Sequence, residues 1–242
     1  MKIFLQVILI VILISVIKVL PAQEWVEFTA SETTEPVYTI LSSNKDSVEF
    51  NLKIPGLYST EIDSFQRIEI KGHSVMDSIG FPELPVLSYL VAIPECDSIG
   101  ISIILSDSIK LNDFNIYPAP EYVIDTTDEG YEYYKEEFTY DTAAYLNNEF
   151  IIDTLEQLTD KGAIRAQNVI RVLINPIQFN PVTEEVKVFS EMNIKLDFIN
   201  PTDSINKNVG IFNEVVGNTI INYQSNGLNA SVSCGAEFNK FR

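Results

Sequence analysis

Alternation with a period of two limits this chain more than any other feature. Val48, Phe50, Leu52 and Ile54 alternate with Glu49, Asn51 and Lys53 until Pro55-Gly56 ends the run. Such spacing places the apolar side chains on one face of an extended strand and the polar ones on the other. Phe65 and Arg67-Ile68-Glu69-Ile70 repeat it before Lys71-Gly72, and Ile99 to Leu105 repeats it between Asp97-Ser98 and Ser106-Asp107. Val169 to Ile174 is a further strand. Past the turn Asn180-Pro181-Val182-Thr183, two more are predicted, Val186–Phe189 and Ile194–Phe198. Short strands bounded by Pro, Asn and Gly, with few helical periods, predict a mainly β fold, an antiparallel β-sandwich. One short C-terminal helix is expected, around Asn213 to Ile221.

Composition removes several classes of function. Lys and Arg number 16 against 34 Asp and Glu, a formal net charge of -18. A nucleic-acid binder needs clustered cations to neutralise phosphate, so no nucleic-acid partner is expected. One His and 2 Cys cannot build a four-ligand zinc site, and neither a metal nor a cofactor is expected. A hydrophobic share of 46% is too high for a disordered acidic chain. A chain of this length can bury roughly 70% of its unfolded surface in one core.

Residues 1–22 read as a secretory signal. Met1-Lys2 precede the apolar run Ile3 to Ile17, and Leu20-Pro21-Ala22 follows, so cleavage is expected near Ala22. The run is shorter than the roughly 20 residues of a spanning helix, and Lys18 closes it. No membrane association is expected after cleavage, and the location is extracellular or periplasmic. In an oxidising compartment Cys96 and Cys234 could pair or stay free; two unpaired cysteines are the expectation.

Residues 125–160 break the alternation with eleven acids, one base (Lys135) and Tyr131, Tyr133, Tyr134, Tyr140 and Tyr145. Asp125-x-x-Asp128-Glu129 lacks the alternate carboxylates and central Gly of a calcium loop. The stretch reads as a solvated loop whose tyrosines lie on the sandwich. Clustered amphipathic aromatics also suit a protein-binding surface.

Three segments, taken together, resemble the N-terminal propeptide of gingipain-type (clan CD) secreted cysteine peptidases. Gly80-Phe81-Pro82-Glu83-Leu84-Pro85-Val86 is similar to that family's G-x-P-x-L-P-V element. Asn175-Pro176-Ile177-Gln178-Phe179-Asn180-Pro181-Val182-Thr183 is similar to its P-x-Q-Y-N-P-x-T hairpin, and the stretch from Phe212 to Asn222-Tyr223 resembles its closing segment. On residue chemistry alone these are structural positions. Pro82 and Pro85 cannot donate to a ladder and belong at an edge or a crossing between sheets. Leu84 and Val86 would tie that stretch to the core, and Asn180-Pro181 opens a turn in which Thr183 can bond locally.

The resemblance implies a propeptide domain over residues 23–225, acting as intramolecular chaperone and latency-maintaining inhibitor of a cysteine endopeptidase. That peptidase domain is then the expected partner. In the family the inhibitory loop presents a basic residue to the specificity pocket; by position it falls near Glu121 to Glu137, where Lys135 is the only base. Lys135, with Tyr131, Tyr133 and Tyr134, is the expected contact set, although Lys135 stands among acids and departs from the family's pattern. Residues 226–242 read as a linker and the start of a peptidase domain that does not follow.

No catalytic site is expected within the chain. His73 sits in Lys71-Gly72-His73-Ser74, a strand end or turn, and Cys96 stands beside Glu95 and Asp97. A thiolate needs a base within hydrogen-bond reach, and acidic neighbours oppose its ionisation. The competing reading is a stand-alone secreted β-sandwich for adhesion or ligand binding, with Tyr131 to Tyr145 as its contact surface.

Overall fold

The computed structural model describes residues 22–151, 154–159, 161–205 and 210–223. Residues 1–21 and 224–242, which hold most of the expected signal and linker as well as Cys234, lie outside the described residues.

Two antiparallel sheets face one another. The first contains β2 (Val37–Ser43), β3 (Ser47–Lys53), β8 (Ser98–Leu111), β14 (Ile177–Asn180) and β15 (Glu185–Ile199). β15 is its spine: β8 runs along one side, while β14 and β3 follow end to end along the other, with β2 outside β3. The second sheet is built on β7 (Pro85–Ala92) and β13 (Gln167–Ile174). Its edges are β6 (Ser74–Val75) on β7, and β11 (Glu156–Leu158) with β12 (Gly162–Ile164) on β13. A third, three-stranded sheet closes one end, in the order β1 (Gln23–Glu27), β4 (Gly56–Ile62), β5 (Phe65–Glu69).

The alternation read from the sequence is what fills the sandwich. On β3, Val48, Phe50 and Leu52 are fully buried opposite Leu196, Ile194 and Met192 of β15. On the other sheet Leu87, Tyr89 and Val91 pair with Ile174, Val172 and Ile170. The Phe50 and Tyr89 rings meet edge to face, 6.1 Å between centroids, which fixes the two sheets against each other. Each such side chain contributes about 1.5–3 kcal/mol through burial.

The expectation of two strands after the Asn180 turn needs correcting. Glu185–Ile199 is one strand of 15 residues. Phe189, Ser190 and Met192 are all buried, and a register shift against β8 between Val188 and Glu191 carries the strand past the polar Ser190-Glu191 without ending it. The strand expected to end before Ser106-Asp107 likewise runs on to Leu111, with a register shift beside Asp107 absorbing the polar pair. Pro55-Gly56 ends β3 as expected and turns the chain into the third sheet. A Cβ at Gly56 would lie 2.4 Å from both the Trp25 ring and the Val26 carbonyl, so only glycine fits under that tryptophan.

Beyond the expected C-terminal helix, α2 (Asn213–Thr219), there is a one-turn helix, α1 (Thr142–Tyr145). α2 covers the outer face of the second sheet. Val216, Ile220 and Tyr223 pack on Ala92 and Val169 in a small core separate from the main one.

Candidate functional site

Residues 121–137 form a two-stranded antiparallel hairpin, β9 (Glu121–Thr126) and β10 (Glu132–Glu137), paired with neither sandwich sheet. It is a hairpin and not the expected loop. The loop reading failed because Tyr133-Tyr134 put one aromatic on each face, which erases the apolar-polar alternation of a half-buried strand. Nor do all five tyrosines lie on the sandwich. Tyr131, Tyr133 and Tyr134 are exposed on the hairpin, whereas Tyr145 is buried and stacks on Tyr140 at 4.4 Å.

The hairpin is held at both ends by the Gly80–Pro85 segment. At the entry, Gly80 N–H donates to the Ala119 carbonyl (2.9 Å), Ala119 N–H donates to the Phe81 carbonyl (2.8 Å), and Glu83 N–H donates to the Tyr117 carbonyl (2.9 Å). Pro82 bridges Pro118 at an isolated edge pairing, where its missing N–H costs nothing. At the exit, Asp141 N–H donates to the Gly80 carbonyl (3.1 Å). Gly80 has a φ of +81°, and a Cβ there would come 3.0 Å from the Asp141 nitrogen, so a side chain would be strained and crowded against the exit. Leu84 and Pro85 are buried beneath this clamp, and Val86, half-buried, continues into β7 beside Ser74 of β6.

Aromatic packing reinforces the exit. Phe65 lies 5.7 Å from Phe138 and 6.4 Å edge-on to Tyr145, whose hydroxyl donates to the Ile116 carbonyl at 2.7 Å. Burial pushes the Tyr145 phenol well above its ordinary pKa, so it stays a donor. The Asp141 carboxylate accepts from Ala143 and Ala144 N–H and caps α1.

Charge completes the mounting. Arg67 Nε is 2.8 Å from the buried Glu83 carboxylate, and another guanidinium nitrogen is 3.2 Å from Glu136 on β10. The guanidinium also lies over the Tyr117 ring at 4.5 Å. Burial raises the Glu83 pKa, opposed by Arg67. Burial alone would lower that of Arg67, but attraction to Glu83 and Glu136 outweighs it and the net shift is upward. Glu136 further accepts from the Tyr122 hydroxyl at 2.9 Å, and this hydrogen bond raises the tyrosine's pKa. Beneath these residues runs a groove of about 810 Å³, lined among others by Tyr58, Arg67, His73, Glu83, Tyr122 and Glu136. Sequence reasoning missed Arg67, which reads as an ordinary polar position between two strand residues.

Among the expected contacts, Lys135 is half exposed, with its ammonium 3.8 Å from Asp125 and 3.9 Å from Glu137. Tyr133 donates to Asp125 at 3.3 Å, and Tyr131 and Tyr134 are 70% and 75% exposed. The hairpin therefore brings the four residues onto one projecting element.

The other two motifs are structural. The Asn180 side-chain oxygen accepts from Val182 and Thr183 N–H, and its amide donates to Asn148, so Asn180 builds the Pro181–Glu184 turn; the local bond uses Thr183's backbone. Asn222 is buried and reads Ala92 like a strand partner. Its oxygen accepts from Ala92 N–H at 2.7 Å and its amide donates to the Ala92 carbonyl at 3.0 Å. Tyr223 donates to Asn213 at 2.7 Å and so ties both ends of α2 together.

His73 and Cys96 are not brought together. His73 packs on Tyr89 beside the start of β7, while Cys96, beyond that strand's far end, has Lys161 Nζ at 3.6 Å from its sulfur. Cys96 is buried with a free thiol. Among the described residues, no group of three or more His, Cys, Asp or Glu could hold a metal ion. Among the same residues, no helix is long and apolar enough to cross a membrane.

The Propeptide_C25 family model matches residues 29–230. The chain belongs to this family. The propeptide is 24% identical to Lys-gingipain of Porphyromonas gingivalis over 144 residues, 57% of this chain, and a Lys-gingipain form designated W83 matches over the same extent. The match spans 8% of the length of those curated relatives. The fold is shared with the solved complex of the pro- and mature domains of RgpB from Porphyromonas gingivalis. The TM-score there is 0.64 at 19% identity, over 77% of this chain and 98% of that one. A structure on the zymogenic latency of gingipain K from the same organism gives a TM-score of 0.60 at 20% identity, over 73% and 98% of the two chains. Membership of a propeptide family directs attention to a binding surface and away from a catalytic centre within the chain.

Proposed function

We propose that this chain is the propeptide of a secreted gingipain-type cysteine endopeptidase, assisting its folding and keeping it latent until proteolysis releases it. The observation that carries the reading is the β9–β10 hairpin: an exposed, aromatic, acidic element whose entry and exit are both fastened by the Gly80–Pro85 motif. A surface loop with no binding role has no need of such a mounting. That a solved structure of this fold is described as a complex of pro- and mature domains supports a peptidase partner, and the apolar segment before Ala22 fits export. The hairpin, which carries Tyr131, Tyr133, Tyr134 and Lys135, is the element we assign to the contact with the peptidase.

The test is inhibition of a gingipain-type peptidase from the source organism by purified residues 23–242. Tight, salt-sensitive inhibition with no hydrolysis by the chain itself is expected. Unchanged peptidase activity at micromolar propeptide would overturn the proposal and leave the adhesion reading in its place.

A further inference from the structure

The two faces of the hairpin are chemically unequal. Register places Tyr122, Ile124 and Tyr134 on one face, with Thr126, Glu132 and Glu136 at its margins. Val123, Asp125, Tyr133 and Lys135 share the other with Glu121 and Glu137. On the second face the polar groups satisfy one another, since Asp125 takes both the Tyr133 hydroxyl and the Lys135 ammonium. On the first, Ile124 and Tyr134 stand directly opposite each other at 62% and 75% exposure. An isolated two-stranded ribbon gains nothing by presenting an apolar pair to water, and such pairs mark contact surfaces.

The base of the same face is held rigid. Tyr122 and Glu136 lie on it, and Arg67 grips Glu136 from β5 of the third sheet. Ile124 and Tyr134 are the next cross-strand pair on that face beyond Tyr122 and Glu136, toward the turn. Tyrosine and isoleucine held in one geometry lose little entropy on burial, as interface anchors require. Charge identifies the occupant: the strands put Glu132 and Glu136 and no ammonium on this face, and Asp128 and Glu129 stand in the turn that joins them. A partner covering this face must supply cations or leave carboxylates desolvated and unpaired.

We infer that the propeptide docks through the Tyr122–Ile124–Tyr134 face of the hairpin onto a basic surface of the peptidase, with Lys135 a rim contact on the opposite face. This rests on the propeptide reading above and adds which face carries the affinity and what charge the partner presents. It departs from pocket occupancy by a basic side chain, since Lys135 points away from the docking face, with Asp125 and Glu137 beside it.

The experiment is inhibition of the same peptidase by full-length chains bearing Ile124→Ser with Tyr134→Ser, Lys135→Ala, or Tyr133→Ser, each checked for an unchanged thermal midpoint. The first-face double variant should weaken inhibition about thirtyfold or more, as loss of a buried anchor does. Lys135→Ala and Tyr133→Ser should stay within about threefold of the parent, as rim positions do. Raising salt from 50 to 500 mM should slow association of the parent and of both second-face variants alike. If the parent inhibits but Lys135→Ala loses more than the double variant, or salt has no effect, the inference fails while the propeptide reading stands. If the parent does not inhibit, both fail.

Discussion

The sandwich and the hairpin handle the same residue types in opposite ways. In the body, Tyr89 and Tyr145 are buried, ring against ring, and the buried Glu83 is paired with Arg67. On the hairpin, Tyr131 and Tyr134 face water, and Lys135 has two carboxylate neighbours close to 4 Å away. Stability resides in the first region, while the second is cheap to alter and free to specialise. An element that contributes nothing to the core yet is fastened at both ends is there to be presented.

The contrast can be broken most severely from inside the body. Phe50→Ala, at a fully buried site between the sheets, should cost about 3–5 kcal/mol in urea unfolding. Tyr134→Ser should stay within about 0.5 kcal/mol of the parent. A comparable loss at both positions would erase the distinction between core and presented element.

Next in size is Arg67→Ala, which strips the buried Glu83 of its partner and should cost about 3 kcal/mol at pH 7.5. Burial already raises the Glu83 pKa, and without Arg67 it rises further. The folded variant then binds a proton before the unfolded chain does, so the deficit should shrink as pH falls toward 5. Amide exchange in β10 should quicken in the same variant, because Glu136 loses its tie to the body.

Asn222→Ala removes both bonds to the Ala92 backbone and should cost about 1–3 kcal/mol, leaving the hairpin's exchange rates unchanged.

The smallest effect concerns His73, whose pKa is lowered by burial and only partly restored by Glu35. Its contribution to stability is complete above the unfolded value of about 6.5 and is lost as pH falls below it, since the unfolded chain takes up the proton first. His73→Gln should therefore flatten the stability profile between about pH 6.5 and 5 while leaving stability at pH 8 nearly unchanged. An unaltered slope would contradict the burial.

The body was largely legible in the sequence because burial on one face writes itself as alternation. Val48, Phe50 and Leu52 were readable as an inward row without any structure, and so was the break at Pro55-Gly56. What could not be read was the continuity of β15 through Ser190, because a buried serine inside a strand and a serine in a turn look alike in composition. The site was legible only as a concentration of tyrosine and acid. Its strands escaped notice because neither face is buried, so no alternation had to be kept. Arg67 and the double fastening by Gly80–Pro85 depend on contacts between residues 16 to 69 positions apart, which no local pattern carries.

The most direct measurement replaces the whole hairpin. Glu121 and Glu137 are paired across its base, about 5 Å apart, so a short Gly-Ser turn can join the strands' outer ends without strain. The shortened chain should unfold at the parent's midpoint and lose its inhibition of the peptidase. A shortened chain that inhibits as well as the parent would contradict the assignment of the hairpin as the element that binds.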